Sequence, residues 1–567
     1  MSQCISTSSP ITRWVYSSHG VRSVYGIEFP PFRKLEKCRK LPRRNDERMS
    51  ILGYKSEFKR AFSPVHTIGF AFSIMGVCAS VSSTFFFSLI TAGHVGMTFG
   101  WIIPCLFVIC VVLSLAELAS AMPTSAGLYY FSAKLSPPKY APLISWITGW
   151  ANVTGQIMLV CSIEFVNAQM ITTGIAIGSD GKILLGPAET YGILLCILVS
   201  HAIMCSANSR VLARLSLLTG FVNVATTIST AIALIVMSGS KRVSGKDAFT
   251  LLENHSGWNN NGWAFIMSFT SAMWVLTGYD AAAHISEEIS FAEKAAPLAM
   301  ISGVLGTEIL GFFLLIGASF ASFDIKRLVD TDLSMPMGQV YLDTFGKKGA
   351  LAVWSLCIAV QWVNGVTQGV DASRVTFALA RDNGLPGSRW WKQIHPRTKT
   401  PVYAVWLVMF LSAVIGVLVW SETALSSLAG ATVVSLYSSY AIPIFLRITY
   451  GYKSFQPGYF RLGKWSRFIG SIAIMWAVFV GVVLLFPLDP NIKSAADMNY
   501  AVVIVLAVFV LSALSWITSA HKWFHGPVPN ITMEEVDRVT GEAENEVPER
   551  EGEAYEKRSS LGEKIAF

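Results

Sequence analysis

Residues 263–288 read WAFIMSFTSAMWVLTGYDAAAHISEE. The first half is apolar enough for a bilayer, yet Asp280 falls inside the same run, and His284, Glu287 and Glu288 follow within two turns. An ionised side chain at the centre of a membrane helix costs roughly 2.5 to 3.5 kcal/mol on insertion scales, so such a carboxylate must be solvated by protein, water or a solute. The stretch predicts a membrane span that is interrupted near Thr277 and Gly278 and carries function.

The rest of the chain agrees with a membrane setting. Its 567 residues are 52% hydrophobic and 14% charged, with a mean hydropathy of +0.49. That is too little charge to cover a soluble surface of this size. Apolar runs of about 20 residues, each able to cross roughly 30 Å of hydrocarbon, lie near residues 66–90, 98–121, 143–176, 188–206, 212–238, 262–285, 298–321, 349–379, 402–421, 425–448, 467–487 and 499–522. Long uniform runs suit helices, because barrel strands alternate over about ten residues. The fold class is therefore an all-α polytopic membrane protein with about twelve transmembrane helices.

Lys and Arg gather in residues 381–401 and between Arg447 and Arg467, which places those connections and both termini in the cytoplasm. Residues 1–60 form a basic tail and residues 524–567 an acidic one, both of compositions that stay disordered. Between them, residues 61–523 form the membrane domain. The basic tail is also able to rest on anionic lipid. The plasma membrane is the expected location, with a vacuolar or other internal membrane as the alternative.

Several function classes drop out. The nine cysteines lie in the basic tail or in spans, so no external disulfide framework forms, and no Cys/His spacing suggests a metal or cofactor. No phosphate-binding loop is present, which leaves gradients or no energy source at all, and nothing points to nucleic acid.

A second weak point lies in the first span, where Ser73, Gly76, Cys78, Ala79, Ser80, Ser82, Ser83 and Thr84 crowd the centre. Glycine weakens a helix and serine competes for its backbone bonds. Such small residues also mark close helix packing. Two interruptions five spans apart, one beside Asp280, match transporters whose solute sits between opposed breaks.

Four stretches carry a resemblance: FSIMG (72–76), LAELASAMPTSAGLYYF (115–131), TGYDAAAHISEE (277–288) and SRVTFALARDNGLPGSRWWKQIHPRTKTP (373–401). Over residues 66 to 450 the chain resembles the amino acid/polyamine/organocation transporters, specifically the fungal branch of GABA and choline permeases. The resemblance implies two inverted five-helix repeats (about 66–238 and 262–448) with broken helices one and six, and two added helices within 467–522. It implies a substrate held at Gly76, Val77, Cys78, Ala79 and Ser80 and at Thr277, Gly278, Tyr279 and Asp280, under an aromatic gate, Trp274. One departure is that MGVCAS offers a single glycine, where many amino acid carriers have a glycine-rich turn.

The chemistry of the breaks is consistent with that reading. The N-terminus of a half-helix presents unpaired N–H groups and a positive dipole end, suited to a carboxylate, with Ser80 or Ser82 able to cap it. Freed carbonyls beside Asp280 suit an ammonium group, with Trp274 and Tyr279 offering cation–π contact.

Other polar residues are embedded in the spans as well. Glu117 is expected to pair structurally, Glu308 to make a bundle contact, and Glu164 to bind substrate or a proton. Gln361, Asn364, Gln368 and Asp371 share one helical face, which lines either the pathway or a polar packing seam. His284, Glu287, Glu288 and Lys294 form an inner gate with Arg374 or Arg381, or else simply a solvated helix end. A sodium site would draw on Ser373 and Thr376. The resemblance favours protons instead, carried by Glu164 or Asp280.

The expectation is a non-enzymatic, proton-coupled symporter for amino acids or amino-acid-like amines such as GABA. The alternative is a permease for a carboxylate-free cation such as choline, a polyamine or thiamine. A non-transporting receptor and a membrane enzyme are the remaining rivals.

Overall fold

The computed structural model describes residues 14–17, 20–23, 49–50, 52–54, 57–58, 60–421, 423–494 and 497–531. The basic and acidic tails expected to be disordered lie largely outside the described residues. Residues 1–57 and 528–567 make up one unit and residues 58–527 another. In the first, Trp14–Ser17 pairs antiparallel with Gly20–Ser23. The second is a helical membrane body.

Ten helices among the described residues are long and apolar enough to cross a membrane. Two facts bring the number of spans to the expected twelve. The helical stretch Pro64–Ala121 holds two spans, because Gly93 (φ 55°, ψ −131°) breaks it into 64–92 and 94–121. Unbroken, its 58 residues would reach about 87 Å, far beyond one bilayer. Span six is absent from the ten because it is cut into Asn261–Met267, Phe269–Val275 and Ala281–His284.

The other spans are three (Ala141–Gly178), four (Pro187–Cys205), five (Ser209–Met237) and seven (Ala292–Ala321). Span eight is 347–381 of the helix Pro336–Arg381, which Gly346 kinks. Spans nine to twelve are Val402–Trp420, Ala424–Ile448, Gly463–Val483 and Ala501–Thr518.

Local chemistry sets several boundaries. Ser63 accepts the His66 N–H, with Pro64 at the first turn of span one. Asn208 and Asn260 cap spans five and six through backbone N–H groups two and three residues on. Spans five, seven, nine, eleven and twelve leave large apolar side chains such as Phe221, Phe313, Phe410, Met475 and Leu511 exposed, a surface that only lipid covers well. Spans one, three, six, eight and ten supply the buried centre.

The interruption in span one is narrower than residues 76–80. It is Gly76 alone, in the left-handed conformation (φ 47°, ψ 50°), and the helix resumes at Val77. The serine-rich segment that follows stays helical, because its hydroxyls bond back along their own helix. Ser82 donates to Cys78 O, and Ser83 and Thr84 donate to Ser80 O.

Candidate functional site

Span six breaks where expected. The helix ends at Val275, Gly278 turns the chain with φ +88°, and helix resumes at Ala281. Among the described residues the N–H groups of Thr277, Gly278, Tyr279 and Asp280 have no hydrogen-bond partner, nor do the carbonyls of Leu276 and Thr277. The Thr277 hydroxyl donates to Met273 O, leaving the ladder bonds to Trp274 O and Val275 O unmade. Buried backbone groups without partners are rare and mark a place meant for water or a ligand.

The two breaks face each other. A Cβ added to Gly278 would lie 3.1 Å from Ile74 in span one, 3.2 Å from Leu159 in span three and 3.5 Å from Gln368 in span eight. Between them lies a cavity lined by Ile74, Met75, Ser80, Leu159, Ile163, Trp274, Val275, Thr277 and Asn364. It offers about 10 Å³ to the centre of a water molecule, room for roughly one water. In this conformation the cavity is too small for anything larger than water. No ionisable side chain lines it.

Of the residues anticipated for the site, Ser80, Thr277 and Trp274 line this cavity, and Gly76 and Gly278 shape it through the backbone. Trp274 is buried and anchored by its indole N–H on Ser162 (3.1 Å). A Cβ on Gly76 would meet the Asn364 amide nitrogen at 2.7 Å, so span eight sits directly on the first break. Asn364 donates to Ser80 Oγ (3.4 Å) and to Gln361 Oε1 (3.3 Å), while Gln361 donates to Ile163 O.

The N–H cluster anticipated on span one is partly claimed. Asn223 of span five accepts the Cys78 N–H (3.2 Å) and donates to Phe72 O (3.4 Å), bridging the break from behind. The Cys78 thiol lies 3.3 Å from that of Cys357. Val77 and Ala79 are buried without lining the cavity.

Asp280 lies away from the cavity. One carboxylate oxygen accepts the Tyr440 hydroxyl (2.6 Å), and the other accepts from Asn152 (3.3 Å), Gln156 (3.2 Å) and His284 (3.0 Å). Spans three, six and ten meet on this one group, so its carboxylate is spent on protein donors. Tyr279 packs on Tyr440, ring centres 5.3 Å apart, and also stands outside the lining. Glu164 is paired with His201 of span four at 2.5 Å, both fully buried.

At the end of the bundle where span six finishes, two ion pairs join spans six and eight. Arg374 Nε meets Glu288 at 2.7 Å with both side chains fully buried, and Arg381 reaches both oxygens of Glu287 at 3.3 Å. The Ser125 N–H also donates to Glu287. Just before span one, Ala61 and Phe62 donate to Glu288 O, and Ser290 donates to Phe62 O, pinning the two broken spans together. A solvated helix end is ruled out by this burial. Lys294 is not part of the cluster, lying over the Tyr459 ring at 4.2 Å.

The remaining polar residues divide clearly. Glu117 meets Arg447 at 3.3 Å and accepts from Leu462 N and Ser466 Oγ, joining span two to spans ten and eleven. Glu308 gives its backbone carbonyl to the Trp101 indole. Ser373 and Thr376 bond carbonyls of their own helix, and the Arg374 guanidinium donates to Ser373 at 3.1 Å. A fixed cation there opposes a sodium ion.

Relatives agree with this architecture. A family model described as amino acid permease matches residues 62–509. The chain belongs to the amino acid permease family. It is 34% identical to an uncharacterized amino-acid permease of Schizosaccharomyces pombe, over 87% of this chain and 91% of that one. It is 32% identical to amino-acid permease BAT1 of Arabidopsis thaliana (85% and 96%) and 30% identical to the GABA-specific permease of Saccharomyces cerevisiae (88% and 88%). The permease is thus an integral, multi-pass membrane transporter and no enzyme.

Proposed function

We propose that this permease carries amino acids or amino-acid-like zwitterions such as GABA by alternating access, with protons as the driving ion. The observation that carries the reading is the cavity between the two breaks, bounded by unpaired backbone and free of ionisable side chains. Burying a net charge in such a space leaves it without a counter-ion. A zwitterion brings its own. Its ammonium suits the free carbonyls of span six, and its carboxylate suits the half-helix N-terminus after Gly76.

The names of the relatives point the same way. The two five-helix repeats rock about this cavity, and the Glu287 and Glu288 ion pairs close its cytoplasmic side. The plasma membrane is the proposed location, with both termini in the cytoplasm.

Competition for uptake in cells lacking their own carriers tests the substrate class. GABA or neutral amino acids are expected to inhibit uptake of the labelled solute, while choline, putrescine and thiamine leave it unchanged. Inhibition by the carboxylate-free amines alone would replace the zwitterion with an organic cation.

A further inference from the structure

The buried charges near the second break can be counted. Asp280 is paired with His284, Glu288 with Arg374 and Glu287 with Arg381. The His284 ring has its two nitrogens 3.0 Å from the Asp280 carboxylate and 3.5 Å from Ser125 O, so the imidazolium is the form that donates to both. That makes three neutral pairs. Asp371 is the odd group in this cluster, while Glu308, the other buried carboxyl near the break without an ion pair, lies toward Tyr279 and Tyr437.

Asp371 is fully buried on span eight, and neither of its carboxylate oxygens has a hydrogen-bond partner. The charges of Asp280, His284 and Arg374 all reach it. The nearby Gln156 accepts from Gln368 Nε2 (2.5 Å) and gives one amide hydrogen to Asp280 Oδ2, which leaves its second N–H as a neutral contact toward Asp371 and no counter-ion. An ionised carboxylate left in that position would be a buried charge without a partner, the costliest arrangement available to it. A neutral carboxylic acid is tolerated.

We propose that Asp371 is the site that carries the coupled proton in this permease. The assignment rests on the proton-driven reading above. Position explains how the proton is linked to the gate. Asp371 and Arg374 are three residues apart and share a helical face. In this conformation Arg374 is held by Glu288, and Asp371 keeps its proton.

When the cytoplasmic gate parts, the guanidinium is released to Asp371. The carboxyl O–H then ionises, its proton passes to cytoplasmic water, and the carboxylate pairs with Arg374. After the gate recloses and outer water reaches the site, the carboxylate takes up one proton again, so each cycle moves one proton inward. Gln368 links this to the solute, lying one turn before Asp371 and beside Gly278 at the break.

The test uses the full-length permease in proteoliposomes, supplied with a labelled mixture of GABA and the common amino acids. Two measurements are made, exchange without a pH gradient and uptake driven by one, with an internal pH dye. Asp371→Asn, which mimics the protonated acid, is expected to lose gradient-driven uptake at least 20-fold, along with substrate-dependent acidification. Its exchange should remain measurable and lose its dependence on pH. Asp371→Glu is expected to regain coupling in part.

Full gradient-driven uptake and acidification by Asp371→Asn would overturn the assignment. So would loss of exchange and coupling together in both variants, which would make Asp371 structural. Failure of the wild type to exchange any label would remove the permease reading beneath it.

Discussion

Arg374→Gln is expected to reduce uptake at least tenfold and to hold the permease open at the end where span six finishes. Arg374 and Glu288 form a fully buried pair at 2.7 Å, and the second Glu288 oxygen has no partner of its own. Removing one member of a buried pair costs about 3 to 5 kcal/mol, because the other charge stays in place uncompensated. The loss falls on the gate-closed conformation, where Glu288 is left buried and unpaired, whereas in the open one Asp371 simply keeps its proton. A bias of that size shifts an equilibrium by a factor of about 100 to 4,000.

The neighbouring Arg381–Glu287 contact is longer, at 3.3 Å, and offers partial closure at best. Exchanging the charges, with Glu288→Arg and Arg374→Glu combined, should recover part of the uptake. Uptake, surface expression and cytoplasmic accessibility to a thiol reagent measure this directly. Normal uptake by Arg374→Gln would show that the pair is no gate.

Asp280→Asn is expected to lower the maximal rate about 100-fold while changing the apparent affinity for substrate less than tenfold. The carboxylate receives four donors from three spans, and the amide can offer them only one oxygen. Its NH2 group would face donors instead of acceptors, and His284 would lose its counter-ion. The stretch after the break would then lose its anchor to Tyr440 and Gln156. Because Asp280 does not line the cavity, the effect belongs to the rate of conformational change and not to solute contact. A selective loss of affinity with an unchanged rate would put the carboxylate back on the substrate.

That contrast shows where sequence reading reached and where it stopped. The twelve spans were legible because each apolar run must satisfy its own backbone in lipid, and the observed helices fall within a few residues of the predicted runs. Both breaks were legible because Gly76 and Gly278 occupy backbone conformations that other residues resist. The pairing of Glu287 and Glu288 was legible, since both are charges too deep to be left unpaired.

The direction of Asp280 was not legible. Helical periodicity tells which residues share a face only while the helix continues, and Gly278 resets that phase two residues earlier. Asn223, Asn152, Gln156 and Tyr440 were missed because their role comes from partners 124 to 160 residues away. Polar side chains buried in spans three and five were the available signal. The serine cluster of span one misled for a local reason, since a buried hydroxyl satisfies itself on its own helix without opening it.

The central claim is that solute binds between the two breaks, and equilibrium binding to the purified permease tests it most directly. Gly278→Val fills the space in front of Ile74 and Leu159 and strains a backbone at φ +88°, whereas Gly481→Val on span eleven meets open space. Wild type and Gly481→Val are expected to bind the labelled amino acid with equal affinity, and Gly278→Val to lose at least 50-fold. Unchanged binding by a folded Gly278→Val protein would contradict the account and place the solute elsewhere.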